Sequence, residues 1–168
     1  MIRRIIFLII VSTLALLPLG AATTLANDKD KLIGSWKLVS AVSEELANGQ
    51  KTNIYEGIPT GYISYGVDGR VITIITAGAR TKPAGAVATA AEAEALFRSM
   101  VAYAGSYTID GNKIIHRPDV SWNETWTGTD QIREYKFDGE RLILSTSPSP
   151  NPITGTMSVR TLAWDKTR

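Results

Sequence analysis

The chain has 168 residues, 44% of them hydrophobic, which is enough for one domain with a buried core. Its net charge is only +2 and its basic residues form no cluster, so nothing indicates a nucleic-acid partner. One histidine and no cysteine argue against a zinc site and against disulfides.

The first residues have the pattern of a secretory signal peptide. Arg3 and Arg4 precede an apolar run of about 15 residues, and small residues follow it up to Ala26. An uncleaved membrane anchor is the alternative, but the run is shorter than the roughly 20 residues that span a bilayer. We therefore expect cleavage after residue 26 and a domain over residues 27–168.

Loss of residues 1–26 would remove two arginines and no acidic residue, so the remaining chain would have no net charge. A lipid anchor after the signal would need a cysteine, and the chain has none. We expect a periplasmic or secreted protein that is free of the membrane after cleavage, with a monomer favoured.

The rest of the chain predicts an antiparallel β-protein. Asp68-Gly69, Asp110-Gly111 and Asp138-Gly139 each lie between runs rich in β-branched and aromatic residues, and Asp-Gly is typical of hairpin turns. Asn48-Gly49 is a candidate for a further turn. With an opening strand GSWKLVSAV and a closing strand MSVRTLAW, about eight strands follow one another. An up-and-down β-barrel would leave no free edge in such a meander.

One α-helix is predicted in the middle of the chain. Thr89 and Glu92 have the spacing of a capping box, and Gly105 is placed to end the helix. The period of the pattern puts five apolar residues on or beside one face: Leu96, Phe97, Met100, Val101 and Tyr103. The helix would pack on the barrel or plug one end; alternatively it is a lid whose Met100 and Tyr103 touch a ligand.

Several segments, in this order, resemble a known family: LIGSWKLVS, GYISYGVDGR, AYAGSYTIDGNKIIHR, WTGTDQIREYKFDGERLILST and LAWDK. They are similar to the small bacterial and fungal lipocalin-like domain family from Leu32 to Lys166, and Gly34-Ser35-Trp36 resembles the Gly-x-Trp that begins lipocalins. The resemblance implies a calycin-type barrel with a cavity. Because some relatives are associated with polyketide and other natural-product pathways, it also suggests apolar or aromatic ligands.

The same resemblance places the Trp36 side chain at the closed end of the barrel, near a basic residue at the end of the chain. The sequence leaves three candidates for that residue: Arg160, Lys166 and Arg168.

Alternation along the strands predicts that the His116 and Arg133 side chains point inward. In the strand from Lys113 to Arg117, the two charged end residues mark one face as solvent-exposed, so His116 lies on the opposite, inward face. The strand from Thr129 to Phe137 carries three charges on one face and Arg133 on the other. An inward arginine needs a partner, and the inward faces that can be read contain no acidic residue.

These orientations predict a polar patch in an otherwise apolar interior, where an apolar ligand body would contact Trp36, Tyr107, Leu142 and Leu144. The patch and an aromatic rim from the following loop give the candidate ligand-binding residues His116, Gln131, Arg133, Tyr107, Tyr65, Tyr103, Trp122 and Trp126. Purely structural roles are the alternative: a satisfied core histidine, an arginine stacked on a ring, and tryptophans that shield a barrel end.

Three functions follow from this reading, and none requires a cofactor or a metal. The first is binding of a small apolar or amphipathic molecule, with a carboxylate, carbonyl or aromatic group, in the cavity. The second is an isomerase or cyclase with His116 as general base and Arg133 as anion stabiliser. The third is a barrel filled by its own side chains, with a structural or interaction role.

Overall fold

The computed structural model describes residues 28–150 and 155–167. The predicted signal peptide and Arg168 lie outside these residues. Among the described residues, no helix combines the length and the apolar character needed to cross a bilayer.

Ten strands and one longer helix make up the described part of the domain. The elements are β1 (Gly34–Glu45), β2 (Lys51–Asn53), β3 (Thr60–Tyr65), β4 (Arg70–Thr76), α1 (Ala90–Arg98), β5 (Met100–Asp110), β6 (Lys113–Ser121), a 3₁₀ turn (Glu124–Trp126), β7 (Gln131–Asp138), β8 (Arg141–Ser145), β9 (Ser149–Pro150) and β10 (Met157–Lys166).

The strands form a closed antiparallel barrel, as predicted. Eight strands run in the order β1-β3-β4-β5-β6-β7-β8-β10, and β10 pairs with β1 to close the ring. The short strands β2 and β9 extend β1 and β10 at their edges. The three predicted Asp-Gly turns join β3 to β4, β5 to β6 and β7 to β8, with positive φ angles at Gly69, Gly111 and Gly139.

The barrel has a closed end around Trp36. The Trp36 indole donates to the carbonyl of Leu32, which lies in a helical segment at residues 28–32. Lys166 is the basic residue beside Trp36: its Nζ lies 5.1 Å from the ring centroid and donates to the Lys31 carbonyl. Arg160, the other described candidate, instead faces the interior further along the barrel.

The prediction for the helix was right at its start and wrong at its end. The capping box at Thr89 and Glu92 is formed, but the helix stops at Arg98, with Ser99 as its C-cap. Met100, Val101 and Tyr103 belong to β5 instead, because the backbone from Met100 onward pairs with β4. Tertiary pairing thus overrides a local helical pattern that valine and tyrosine support only weakly.

Gly105 has a role different from the predicted helix end. It lies within β5 next to a register shift against β6, and a Cβ there would overlap the Arg117 carbonyl oxygen. Glycine is needed because the two strand backbones approach too closely for any side chain.

Candidate functional site

The barrel interior contains a cavity of about 340 Å³, within the range of small-molecule pockets. Every barrel strand except β1 contributes to it, together with α1 and neighbouring loops. Its lining residues are Ile54, Tyr55, Ile63, Thr73, Ile75, Arg98, Met100, Val101, Tyr103, His116, Trp122, Trp126, Arg133, Leu144, Thr146, Arg160, Leu162 and Trp164. The barrel is therefore not filled by its own side chains.

The His116 side chain points inward from β6 and is held between two tyrosines. Its Nε2 lies 2.9 Å from the Tyr65 hydroxyl oxygen, and its Nδ1 lies 2.7 Å from that of Tyr103. Only 1% of the residue is exposed. Burial, and secondarily the charge of Arg133, lower the pKa of His116 to about 3. The imidazole is therefore neutral at physiological pH.

This geometry gives no support to a general base at His116. Both ring nitrogens already have hydroxyl partners, so neither is free to take a proton from a substrate. A base with a pKa near 3 is also poorly matched to proton abstraction at neutral pH.

Arg133 also points into the cavity, and its charge has no acidic partner among the described residues. Its Nη1 donates to the carbonyl of Ile132 at 2.8 Å, and its guanidinium carbon lies 6.0 Å from the Trp126 ring centroid. Within the described ranges no carboxylate forms an ion pair with Arg133. Burial, with a smaller effect of Arg160, lowers the pKa of Arg133, whose side chain is partly buried.

Arg160 is a second cation of the cavity. It shares one face of β10 with Leu162 and Trp164, and its Nη2 donates to the Ser149 hydroxyl at 3.1 Å. Arg160 was expected only as a candidate beside Trp36, although the alternation Arg160-Leu162-Trp164 in a strand with an apolar face was an available signal for an inward position. The third arginine of the lining, Arg98, is exposed and paired with Glu94 at 2.8 Å.

No aspartate or glutamate is among the lining residues in the described part of the chain. Two inward arginines thus share a largely apolar hollow without a compensating negative charge. A bound anion would supply these partly buried charges with a partner of opposite sign.

Five of the predicted site residues line the cavity together, and three do not. His116, Arg133, Tyr103, Trp122 and Trp126 line it. Tyr65 lies behind His116, and the Tyr107 ring packs edge-on against Tyr65 while its hydroxyl donates to the Gly66 carbonyl. The Gln131 amide is bonded to the Thr129 hydroxyl instead of reaching the cavity.

The apolar residues that line the cavity differ in part from the predicted ones. Leu144 lines the cavity, whereas Trp36, Tyr107 and Leu142 form the core outside it. The apolar lining instead includes Ile63, Ile75 and Leu162. Alternation along a strand shows which side chains point inward. It does not show where along the barrel axis the packed core ends and the cavity begins.

The two loop tryptophans form an aromatic cluster beside α1. Their ring centroids lie 4.9 Å apart in a T-shaped arrangement. Phe97 of α1 contacts Trp122, and Tyr103 contacts Trp126. The helix itself buries no residue, so it covers this part of the barrel loosely.

A comparison with protein families gives an independent result. No curated protein matches the chain. The model of the lipocalin-like domain matches residues 33–167, which include every barrel strand and every residue of the cavity. The chain belongs to the lipocalin-like domain family.

Proposed function

We propose that the protein binds a small amphipathic molecule with an anionic or carbonyl end in the barrel cavity. The observation that carries this proposal is the pair of inward arginines, Arg133 and Arg160, without an acidic residue in the described lining. The apolar or aromatic body of the ligand would contact Ile63, Leu144 and Leu162, with Trp122 and Trp126 nearer the helix.

Charge and apolar surface contribute in different ways. Apolar walls give affinity in proportion to the area that they remove from water, about 25 cal/mol per Å². The arginines add a requirement for an anion, because the guanidinium charge is poorly solvated until an acceptor meets it. A ligand with both parts would therefore bind better than either part alone.

Calorimetric titration with matched probes tests the proposal. Decanoate and 1-naphthoate carry a carboxylate on an aliphatic and on an aromatic body, and decanol and 1-naphthalenemethanol are their neutral counterparts. We expect at least one carboxylate to bind with one molecule per chain and more tightly than its neutral counterpart. Absence of saturable binding by all four probes would contradict the proposal.

We further propose that the protein acts outside the cytoplasm, as a monomer, after removal of residues 1–26. Support comes from the positive start, the short apolar run and the small residues before residue 27. Intact mass measurement of the protein recovered from the periplasm or medium of an expressing bacterium tests this. The full-length mass, or retention in the cell membrane, would contradict it.

A further inference from the structure

The row Tyr65–His116–Tyr103 has a direction that its hydrogen bonds determine. All three groups are buried and neutral, because burial raises the pKa of both tyrosines and lowers that of the histidine. A neutral imidazole has one N–H and one bare nitrogen. One tyrosine must therefore donate to His116, and the other must accept from it.

Tyr65 is the donor of this row. Within the described chain, His116 Nε2 is the one hydrogen-bond partner of its hydroxyl, and Tyr65 does not line the cavity. If Tyr65 accepted from Nε2–H, its own proton would be buried without an acceptor, at a cost of roughly 1–3 kcal/mol. Tyr65 therefore donates to Nε2, the proton of His116 is on Nδ1, and Nδ1–H donates to the Tyr103 oxygen.

In this arrangement the hydroxyl proton of Tyr103 is not used within the row and can be donated to a group in the cavity. Thr73 lies opposite Tyr103 in register and lowers the pKa of Tyr103 as a donor toward its oxygen, although outside normal hydrogen-bond geometry. Thr73 therefore engages the Tyr103 oxygen and leaves its proton unassigned. Tyr103 itself lines the cavity. Its O–H is thus a donor without a fixed acceptor among the residues that the structure describes.

Trp164 supplies a second donor of the same kind. The residue lines the cavity and is only 1% exposed, and its Nε1–H has no acceptor within the described part of the chain. A buried donor without an acceptor is uncommon and points to a missing partner. Together with Arg133 and Arg160, the lining therefore offers several donors and no acidic acceptor.

We propose that the cavity is a carboxylate site in which Arg133 and Arg160 supply the charge, Tyr103 donates its hydroxyl proton, and His116 is the positioning residue that turns this proton toward the ligand. The inference rests on the proposed function and names the ligand as an organic carboxylate. A carboxylate only accepts hydrogen bonds, whereas an amine or alcohol would bring a proton that meets further donors.

Nitrogen NMR of ¹⁵N-histidine-labelled protein tests the direction of the row without any ligand. The chain has one histidine, so the spectrum contains a single pair of ring nitrogens. We expect a neutral ring with the proton on Nδ1 from pH 5 to pH 8. The Nε2–H tautomer, or an imidazolium ring in this range, would overturn the inference.

Variants then test the role of the row in binding, with decanoate and decanol as probes. Tyr103→Phe and His116→Phe should each weaken decanoate binding by roughly 10-fold or more, because a hydrogen bond to a charged group is lost, and should change decanol binding much less. His116→Gln should restore most of the decanoate affinity, since its amide accepts from Tyr65 and donates to Tyr103. The control is Tyr62→Phe on the outer face of β3, which should change neither affinity.

The outcomes separate this inference from the proposed function. If the wild-type protein binds decanoate and Tyr103→Phe binds it equally well, the carboxylate site as described is wrong, while ligand binding stands. If the wild type binds none of the probes, the proposed function fails, and the histidine tautomer still decides the direction of the row. If His116→Phe does not fold, titration of Tyr103→Phe still tests the carboxylate site, and the histidine tautomer in the wild type still tests the direction of the row.

Discussion

The hydroxyl oxygen of Tyr65 lies 2.9 Å from Nε2 of His116, although the two residues are 51 positions apart in the chain. The contact crosses the barrel interior and ties β3 to β6, which are not neighbours in the sheet. It makes the single histidine part of a buried polar row in the cavity wall. The histidine thus has a structural partner at each nitrogen, and its charge state follows from that environment.

Burial of His116 predicts a pH dependence of stability. The folded pKa of about 3 lies below the ordinary value of 6.5, so between these values the unfolded chain binds a proton that the folded protein does not. Stability from this group is complete above pH 6.5 and is lost as pH falls toward 3. We expect the free energy of unfolding of the wild type to fall by about 2 kcal/mol more than that of His116→Gln between pH 7.5 and pH 5.

Urea unfolding of both proteins at these two pH values measures the difference. Groups that titrate in both proteins cancel in the comparison. Parallel pH profiles would show that His116 titrates normally and would contradict the buried neutral ring.

Replacement of Arg133 by methionine should weaken carboxylate binding selectively. The guanidinium lines the cavity without an acidic partner, so an anion would gain a charge-assisted hydrogen bond from it. We expect decanoate affinity to fall by roughly 10-fold or more and decanol affinity to change little. Calorimetric titration, with a circular dichroism check of the fold, provides the measurement.

A matched control for this change is Arg117→Met. Arg117 lies on the outer face of β6 and pairs with Asp130 at 2.8 Å, so it does not face the cavity. Its replacement should leave decanoate affinity unchanged. Equal affinities for wild type and Arg133→Met would count against the anion site.

The apolar part of the cavity predicts a chain-length dependence. Each methylene that moves from water into the barrel contributes about 0.8 kcal/mol. Decanoate should therefore bind roughly 10-fold more tightly than octanoate, and the gain should stop when the chain fills the cavity. Titration of the series from hexanoate to tetradecanoate measures this, and an affinity independent of length would indicate a surface ion pair instead.

Gly105→Ala should be strongly destabilising. The added Cβ would overlap the Arg117 carbonyl oxygen and lie 2.6 Å from the Pro118 Cα. Both are backbone atoms that cannot move without opening the β5–β6 pairing. Such overpacking typically costs about 1–3 kcal/mol, and the contact with backbone places this change at the upper end. Thermal or urea unfolding measures the loss.

Gly85→Ala is the control for that substitution. A Cβ at this loop position meets only an ordinary contact of 3.8 Å, and the backbone needs no positive φ. The change should alter the free energy of unfolding by less than about 1 kcal/mol. Equal effects of the two substitutions would contradict the close approach of β5 and β6.

Local rules in the sequence accounted for the strands, their turns and the direction of most side chains. Asp-Gly turns at Gly69, Gly111 and Gly139 depend on backbone conformation within a few residues, and alternation depends on the strand's period of two. The inward directions of His116 and Arg133 could therefore be read from single strands. The start of α1 at Thr89 was readable for the same reason, because a capping box is closed by neighbours in sequence.

Only the tertiary structure decided which of these side chains meet. The end of α1 depended on whether Met100 could pair with β4. The positions of Arg160 and Tyr107 along the barrel axis depended on how far neighbouring strands are shifted relative to each other. The sequence by itself determined an antiparallel barrel with a histidine and an arginine facing inward. Closure of the sheet brought Tyr65, Tyr103 and Arg160 to them, because contacts between distant strands depend on register and stagger, which no local pattern encodes.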